Sequence, residues 1–528
     1  MKPDTFEWTF NPVGQGLFFS GILRSRGHAR PQFTWVYDCG TISDHKLLEA
    51  AVNAFVKACG HKEDGRPRLD LLVISHFDRD HVNGVPELLN HFEVGTILLP
   101  YLPLAERILL ALEAEGEQEM EWLSFLTDPV SYLRSRPNAQ IERVLFVHAS
   151  SEQGIGEGIA GDTIRVPSAS EDWELVAGPT LPSSTASDSG ARPEDMADQL
   201  RPHATVKLGE FLEFLPYNDR PMRTIPSAFI EAAEKERKIL ANPKLAKDAL
   251  QRLRQLYDLH FGSTGQLRNR ISQILLCVPL AATGQWAWMQ EITCGDQSFP
   301  VFSLCVGRFL NGGGFKHDIR PLMRCSLLLT GDACVRNSDE LDRLTNHLGE
   351  NRMKNLGAMQ VMHHGSQHSC GDDVADKLAP FCSVFCSDPG LPPHHHPHPN
   401  VLRQFWPYHP VQADKVNSVV MRGLFISAAE SSARTMIEVM GKEGLPMVAQ
   451  RVLNEKNVSI GISKALLHIN SIESDGPEVR MLAFLNVLRS FYYAVGEERR
   501  SAGSMATHKR DHQTGSLPSP QDSMAVQS

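Results

Sequence analysis

Apolar and polar residues alternate in three bursts between Phe6 and Cys39, reading FEWTF, LFFSGIL and FTWVYDC. Turns containing Gly14 and Gly16, then a basic RSRGHARPQ segment, separate them, which predicts a β-meander. A helix-period segment follows over residues 43–58, with Ser43 or Asp44 as its cap. The apolar run Leu69, Leu71, Leu72, Val73, Ile74 then reads as a buried strand. It leads without a break into SHFDRDHVNG, and helix-like spacing resumes at Val85. Beyond it HFEVGTILLP predicts a strand, and residues 102–136 a cover helix or pair of helices. Strand patterns return at IERVLFVHAS, DTIRVP, WELVAGP and ATVKLGEFLEFLPYND.

A Ser-, Pro- and Asp-rich stretch over residues 180–196 interrupts these strands as a loop. A charged helical hairpin over residues 227–260, broken near Asn242-Pro243, reads as a solvated insertion or a substrate cap. Strand character resumes with NRISQILLCVPL, GQWAWMQEIT and SFPVFSLCVGRFL. Asn311-Gly312-Gly313-Gly314 has neither the lysine nor the strand–helix setting of a phosphate loop and is read as a connection. Three further apolar strands, RCSLLLTGD, GAMQVMHHGS and FCSVFCSDPG, each end in polar residues. A histidine-rich PPHHHPHPN and a last strand, NSVVMRGLFIS, follow. The pattern predicts an α/β domain over residues 1–440 with insertions near 102–136 and 221–265, a helical region over 441–496, and a disordered tail over 497–528.

Composition narrows the class. With 528 residues, 42% hydrophobic and 22% charged, the chain can bury a large core. A net charge of -10 argues against a nucleic-acid-binding surface spread over the whole molecule, though a local groove or bound cations would offset it. The ten cysteines include no CxxC pair, which favours reduced buried thiols. No signal-peptide pattern and no apolar run of about 20 residues is evident, so the expected location is the cytoplasm.

The polar strand ends carry the chemistry. His76, Asp78, Asp80 and His81 fall within six residues, at the carboxyl end of an apolar strand. Buried histidine and carboxylate must be paired or coordinated, and a divalent cation partners all four at once. Asp332 ends another strand, with Gly331 giving room, and is the candidate bridging carboxylate of a two-metal hydrolytic site. His363, His364, His394, His395, His396 and His398 offer late ligands. No GxSxG pattern supports a serine nucleophile.

SHFDRDHVNG resembles the signature loop of the metallo-β-lactamase fold, with HxDxDH in place of the usual HxHxDH. Together with VGQG, TGD, HHGS and HPHP in that order, it resembles the hydrolase domain of ComEC-type DNA-uptake proteins. The resemblance implies a four-layer αββα sandwich and hydrolysis of nuclease or phosphodiesterase type by a metal-bound hydroxide. It implies a first divalent ion on His76 and Asp78, a second on Asp80 and His81, and Asp332 between them. His363 and His396 rank equally as the late ligand. His364 is expected at the substrate phosphate with Ser366 beside it, and Asp80 would also orient the attacking hydroxide or take its proton. The substrate class implied is nucleic acid or nucleotide. Asp78 in place of histidine hardens the first site, bringing Mn²⁺, Mg²⁺ or Fe²⁺ into competition with Zn²⁺. The family's middle histidine has only His148 and His203 as candidates. Two rivals stand beside this reading: a metallo-hydrolase of a small thioester, lactone or lactam, and a non-catalytic scaffold that partners another protein through its C-terminal region.

Overall fold

The computed structural model describes residues 3–427, apart from 26–27, 29, 61–64, 114–119, 150–162, 168–173, 181–196, 219–224, 241–245, 262–271, 281–284, 301–323 and 393–394. Most of the 180–196 loop, the Asn311 to Gly314 run, His394, the helical region over 441–496 and the tail over 497–528 therefore lie outside the described residues.

The N-terminal bursts form the meander their alternation predicts. β1 (Thr5–Phe10), β2 (Gly16–Arg24) and β3 (Phe33–Thr41) pair antiparallel in sequence order, with Thr5 opposite Arg24 and Leu23 opposite Phe33. From β3 the ladder turns parallel, through β4 (Arg68–Val73), β5 (Glu93–Pro100) and β6 (Gln140–Val147). Parallel neighbours need crossovers, and helices supply them. α1 (His45–Cys59) joins β3 to β4, while α2 (Arg79–Val82) and α3 (Val85–His91) join β4 to β5. Asp44 is the α1 cap, its side chain accepting from Lys46 N at 3.1 Å. Ser43 instead accepts from Gln15 N, tying α1 to the first glycine-rich turn.

A second ladder mirrors the first. After β7 (Ile164–Pro167) and β8 (Glu174–Thr180), β9 (Asp198–Leu208) lies beside β6 at its start and beside β10 (Leu212–Tyr217) at its end. β10 pairs antiparallel with β11 (Ile274–Pro279). Beyond the hairpin of β12 (Gln285–Cys294) and β13 (Gln297–Pro300), β11 pairs with β14 (Ser326–Leu329). β14, β15 (Leu356–Gln360), β16 (Cys382–Cys386) and β17 (Pro410–Ala413) continue in parallel. β18 (Val419–Ser427) returns to pair with β1.

Side-chain alternation on β3 explains how the ladders meet. Trp35 points toward the second ladder and meets Phe214 of β10 at 5.0 Å between ring centroids, with Trp8 edge-on to it at 5.6 Å. Val36 faces the opposite way, into a core with Leu48, Val52 and Phe55 of α1 and Leu88 of α3. On the second ladder Leu276, Leu328 and Met359 pack under Leu341, Leu344 and Leu348 of the helix Ser338–Leu348. That helix was not anticipated from the sequence, because its three leucines stand in a charged background.

The insertions join the first of these cores. α4 (Leu104–Glu113), α5 (Met120–Thr127) and α6 (Pro129–Arg134) replace the expected helix or pair. α7 (Ser227–Leu240) and α8 (Ala246–Phe261) bury Phe229, Ala233 and Leu253 with Ile108 and Leu123. The charged hairpin is thus solvated on one face only. Arg107 is 1% exposed, and its guanidinium donates to the carbonyls of Leu102, Leu126 and Thr127, closing the end of α5.

The glycines of the first strands have a steric purpose. A Cβ on Gly40 would stand 2.5 Å from both Asp80 C and His81 N, and one on Gly16 would stand 2.9 Å from Asp80 O. The turn bearing Asp80 and His81 rests directly on this backbone. Gly40→Ala is expected to lower unfolding free energy by about 1–3 kcal/mol through overpacking. Urea denaturation checks it; a loss within about 0.5 kcal/mol, the range of ordinary surface changes, would mean the turn yields freely.

Candidate metal centre

Four strand ends deliver the polar residues to one place. β4 ends into His76 and the α2 turn, β14 into Thr330-Gly331-Asp332, and β15 into His363-His364. The fourth is β3, where a bulge opposite Phe18 and Phe19 places Asp38 at φ 56, in the left-handed region. Asp38 is fully buried. Its Oδ1 accepts from Ser75 N at 2.7 Å and its Oδ2 from Ser75 Oγ at 2.6 Å, and Oδ2 also stands 2.8 Å from His81 Nδ1.

Each of the histidines has its Nδ1 engaged by a neighbour. His76 Nδ1 meets Ser75 Oγ at 2.8 Å, His363 Nδ1 meets Ser369 Oγ at 2.6 Å, and His364 Nδ1 donates to Cys386 O at 2.6 Å. Their Nε2 atoms turn toward the carboxylates. His81 Nε2 stands 3.2 Å from Asp332 Oδ1, and His364 Nε2 stands 3.4 Å from both Asp332 Oδ1 and Asp80 Oδ2. On the other carboxylate oxygen, His76 Nε2 and His363 Nε2 stand 4.0 and 3.7 Å from Asp332 Oδ2. Asp78 Oδ2 lies 3.8 Å from His76 Nε2.

Those separations bear on what the cluster could hold. His76 Nε2, His81 Nε2, His364 Nε2 and Asp332 Oδ1 are buried without a hydrogen-bond partner. Leaving so many polar atoms unpaired costs about 1–3 kcal/mol each. Imidazoles oriented through Nδ1, with Nε2 converging on carboxylates, are the arrangement of metal ligands held by outer partners. Asp80, His81, Asp332 and His364 offer ligand atoms all within 4.8 Å of one another. Asp38, His76 and His81 form a second such group. Asp38, already accepting three contacts, acts there as the orienting partner of His81. The donor set fits a divalent cation.

The charges are mutually tuned. Burial pushes His76 down to about 4, and the neighbouring His81 adds to this. Burial also lowers His363. Burial works against charge on His81 and His364, but the Asp332 and Asp80 carboxylates outweigh it and hold both up. Asp332, despite its burial, is held well below the usual carboxylate range by His364 and His81.

The remaining predicted residues are placed as follows. His396 is half-buried, its ring parallel to that of His364 at 6.5 Å and 5.9 Å from that of His363. Ser366 is buried, and its Oγ accepts from His368 N within the turn. His398 Nδ1 accepts from Asn400 N at the start of the helix Pro399–Phe405. His148 stacks on Tyr101 and meets Gln199 at 2.7 Å, and His203 stacks on His347. Neither belongs to the cluster.

Three supporting residues were not read from the sequence as functional. Asp38 reads in the sequence only as a strand end. Gln360 clamps the TGD turn: its Oε1 accepts from Thr330 N and Gly331 N, and its Nε2 donates to Gly331 O. Trp122 of α5 donates from Nε1 to Phe77 O at 2.6 Å, so an inserted helix steadies the loop between His76 and Asp78. A polar residue inside an apolar strand end was the available signal for Asp38 and Gln360. Nothing local marked Trp122.

No family model matches the chain, and no curated protein matches it. Among solved structures it is similar to the metallo-β-lactamase SMB-1 bound to 2-mercaptoethanesulfonate. Identity is 11% and the TM-score 0.16, over 48% of this chain and 86% of that one. A score that low leaves the argument with this chain's own residues. The thiols stay outside the site chemistry: the nine described cysteines are free, and burial pushes Cys382 up to about 12. Among the described residues, no helix is long and apolar enough to cross a membrane.

Proposed function

We propose that this protein is a metal-dependent phosphodiesterase or nuclease, using two divalent ions of the Zn²⁺ or Mn²⁺ type. The observation that carries the reading is the convergence of orphaned histidine nitrogens on Asp332 from separate strand ends. One ion would be held by Asp80, His81, Asp332 and His364, and the other by His76, Asp78 and Asp332. Such ions supply a nucleophile at neutral pH and offset charge on the oxygens of the group under attack. The motif order, which resembles that of ComEC-type hydrolases, favours phosphodiesters over small esters, with nucleic acid or nucleotide as the substrate. A four-layer αββα sandwich is the matching architecture. Its support is the aromatic contact between the ladders, and the helix-backed cores on their other faces.

The chain's own groups divide the remaining work. Asp80 has the most open side chain of its cluster, 17% exposed against 0–4% for His81, Asp332 and His364. It would orient an attacking water or take its proton. His364, fully enclosed, serves the cluster rather than the substrate. His396, half-buried with its ring near-parallel to that of His364, would meet a substrate oxygen if it is not itself the late metal ligand.

Purified protein with Mn²⁺ or Zn²⁺ is expected to cleave bis-p-nitrophenyl phosphate, and to lose that activity with EDTA or with Asp80→Ala. Cleavage of ester, thioester or lactam reporters alone, with DNA, RNA and cyclic dinucleotides left intact, would overturn the phosphodiester assignment.

A further inference from the structure

We propose that the cavity behind the turn carrying Asp80 and His81 is a second ligand site, for a small planar aromatic anion. It lies between that turn and the inserted helices, with Arg79, Val82 and Pro86 on one wall and Trp122, Phe125 and Tyr132 on the other. The inference does not depend on the metallo-hydrolase reading, and nothing in that reading uses the cavity.

Helical geometry separates the cavity from the histidine–carboxylate cluster. α2 runs on toward α3 through Asn83 and Gly84, both with right-handed helical backbone. Arg79, Val82, Asn83 and Pro86 are spaced i, i+3, i+4 and i+7, which puts them on one face. Asp80 and His81 stand on the opposite face, where they meet His364 and Asp332. The turn itself therefore screens a molecule in the cavity from the cluster.

The lining defines the ligand. Trp122, Phe125, Tyr132 and Leu133 are buried while Arg79 is exposed, so the cavity opens on the side of Arg79. Its volume is about 190 Å³, and about 150 Å³ is enough to take a benzene ring. The aromatic side chains meet at tilted angles, Phe77 on Phe125 at 5.3 Å and Phe125 on Tyr132 at 5.2 Å between centroids. Another planar ring extends such packing better than an aliphatic one. The amide of Asn83 is already taken up by the backbone N–H and carbonyl of Thr41. Among the described residues Arg79 is then the charged group of the lining. A guanidinium pairs with a carboxylate through two parallel N–H donors. Those features select one flat ring with an acidic group at its edge. Because Trp122 also donates to Phe77 O, an occupant would stand against the strut that steadies the chain between His76 and Asp78.

Benzoate is the probe, followed by saturation-transfer NMR on full-length protein, once after EDTA treatment and once loaded with Zn²⁺. Saturable binding is expected in both forms, with a Kd on the order of 1 mM or below. Benzyl alcohol lacks the charge and cyclohexanecarboxylate the flat ring, and each is expected to bind about tenfold more weakly. Arg79→Gln is expected to bring benzoate down to the affinity of benzyl alcohol and to leave benzyl alcohol unchanged. Val82→Phe fills the cavity and is expected to abolish binding of all three. Benzoate binding that vanishes on EDTA treatment would put the anion on the metal cluster and overturn the inference. So would equal affinity for the three probes, or benzoate affinity unchanged in Arg79→Gln, which decides the matter if Val82→Phe does not fold. Binding of benzoate by a protein that takes up no metal would keep this site and overturn the metallo-hydrolase reading alone.

Discussion

Asp332→Ala is expected to abolish metal retention and hydrolysis together. Both oxygens of this carboxylate face histidine nitrogens, and Oδ1 has no hydrogen-bond partner of its own. On the two-ion proposal, removing it would take a ligand from each ion at once, and it takes from His81 and His364 one of the anions they face. Metal ions of this kind contribute several kcal/mol to stabilising charge at the reacting centre, so activity should fall by about 10³-fold or more. Asp332→Asn preserves shape and removes charge, and should retain at most a weakly bound ion. Bound-metal analysis and turnover of bis-p-nitrophenyl phosphate are the two readouts. Activity surviving in Asp332→Ala within tenfold of wild type would mean that the chemistry lies elsewhere. Excess metal should not rescue this variant, because on the two-ion proposal the missing carboxylate would ligate both.

How much of this was legible beforehand differs between the scaffold and the site. The meander, the buried strand leading to His76 and the strands ending at Asp332 and His363 could be read because apolar runs there stop abruptly at polar residues. The short strand β17 and the helix Ser338–Leu348 were missed because their apolar residues are few and set among polar ones. Which histidine goes where was not legible. His363, His364 and His396 are equivalent in a sequence, and only the left-handed turn after β15 sets the His363 ring at 67° to that of His364, with the His396 ring near-parallel to the latter. Long-range partners were equally silent: Asp38 and His81 are 43 residues apart, and Trp122 reaches Phe77 from an insertion. Periodicity reports what an element buries, and does not report which strand end it will stand beside.

Asp38 carries the second large expectation, because it would act on a bound ion through His81 and, by way of Ser75, through His76. Its three contacts hold Ser75 by N–H and hydroxyl and fix the His81 ring so that Nε2 faces Asp332. Asp38→Ala leaves Ser75 N and His81 Nδ1 buried without their acceptor, and breaks a buried ion pair. Its cost should be about 3–5 kcal/mol of unfolding free energy. Asp38→Asn is the sharper variant, since it fills the same space. An amide cannot accept from both Ser75 and His81 as the carboxylate does, so one contact is lost and the imidazole turns more freely. Metal affinity should fall by about 10–100-fold, measured by competition with a chromophoric chelator. Turnover at saturating metal should recover toward wild type, because no ligand and no proton-transfer group has been removed. That recovery separates Asp38 from Asp332, whose loss excess metal cannot repair. If Asp38→Asn bound metal within twofold of wild type, the His81 ring would be held by packing alone. The bulge that places Asp38 at a left-handed φ would then need another explanation.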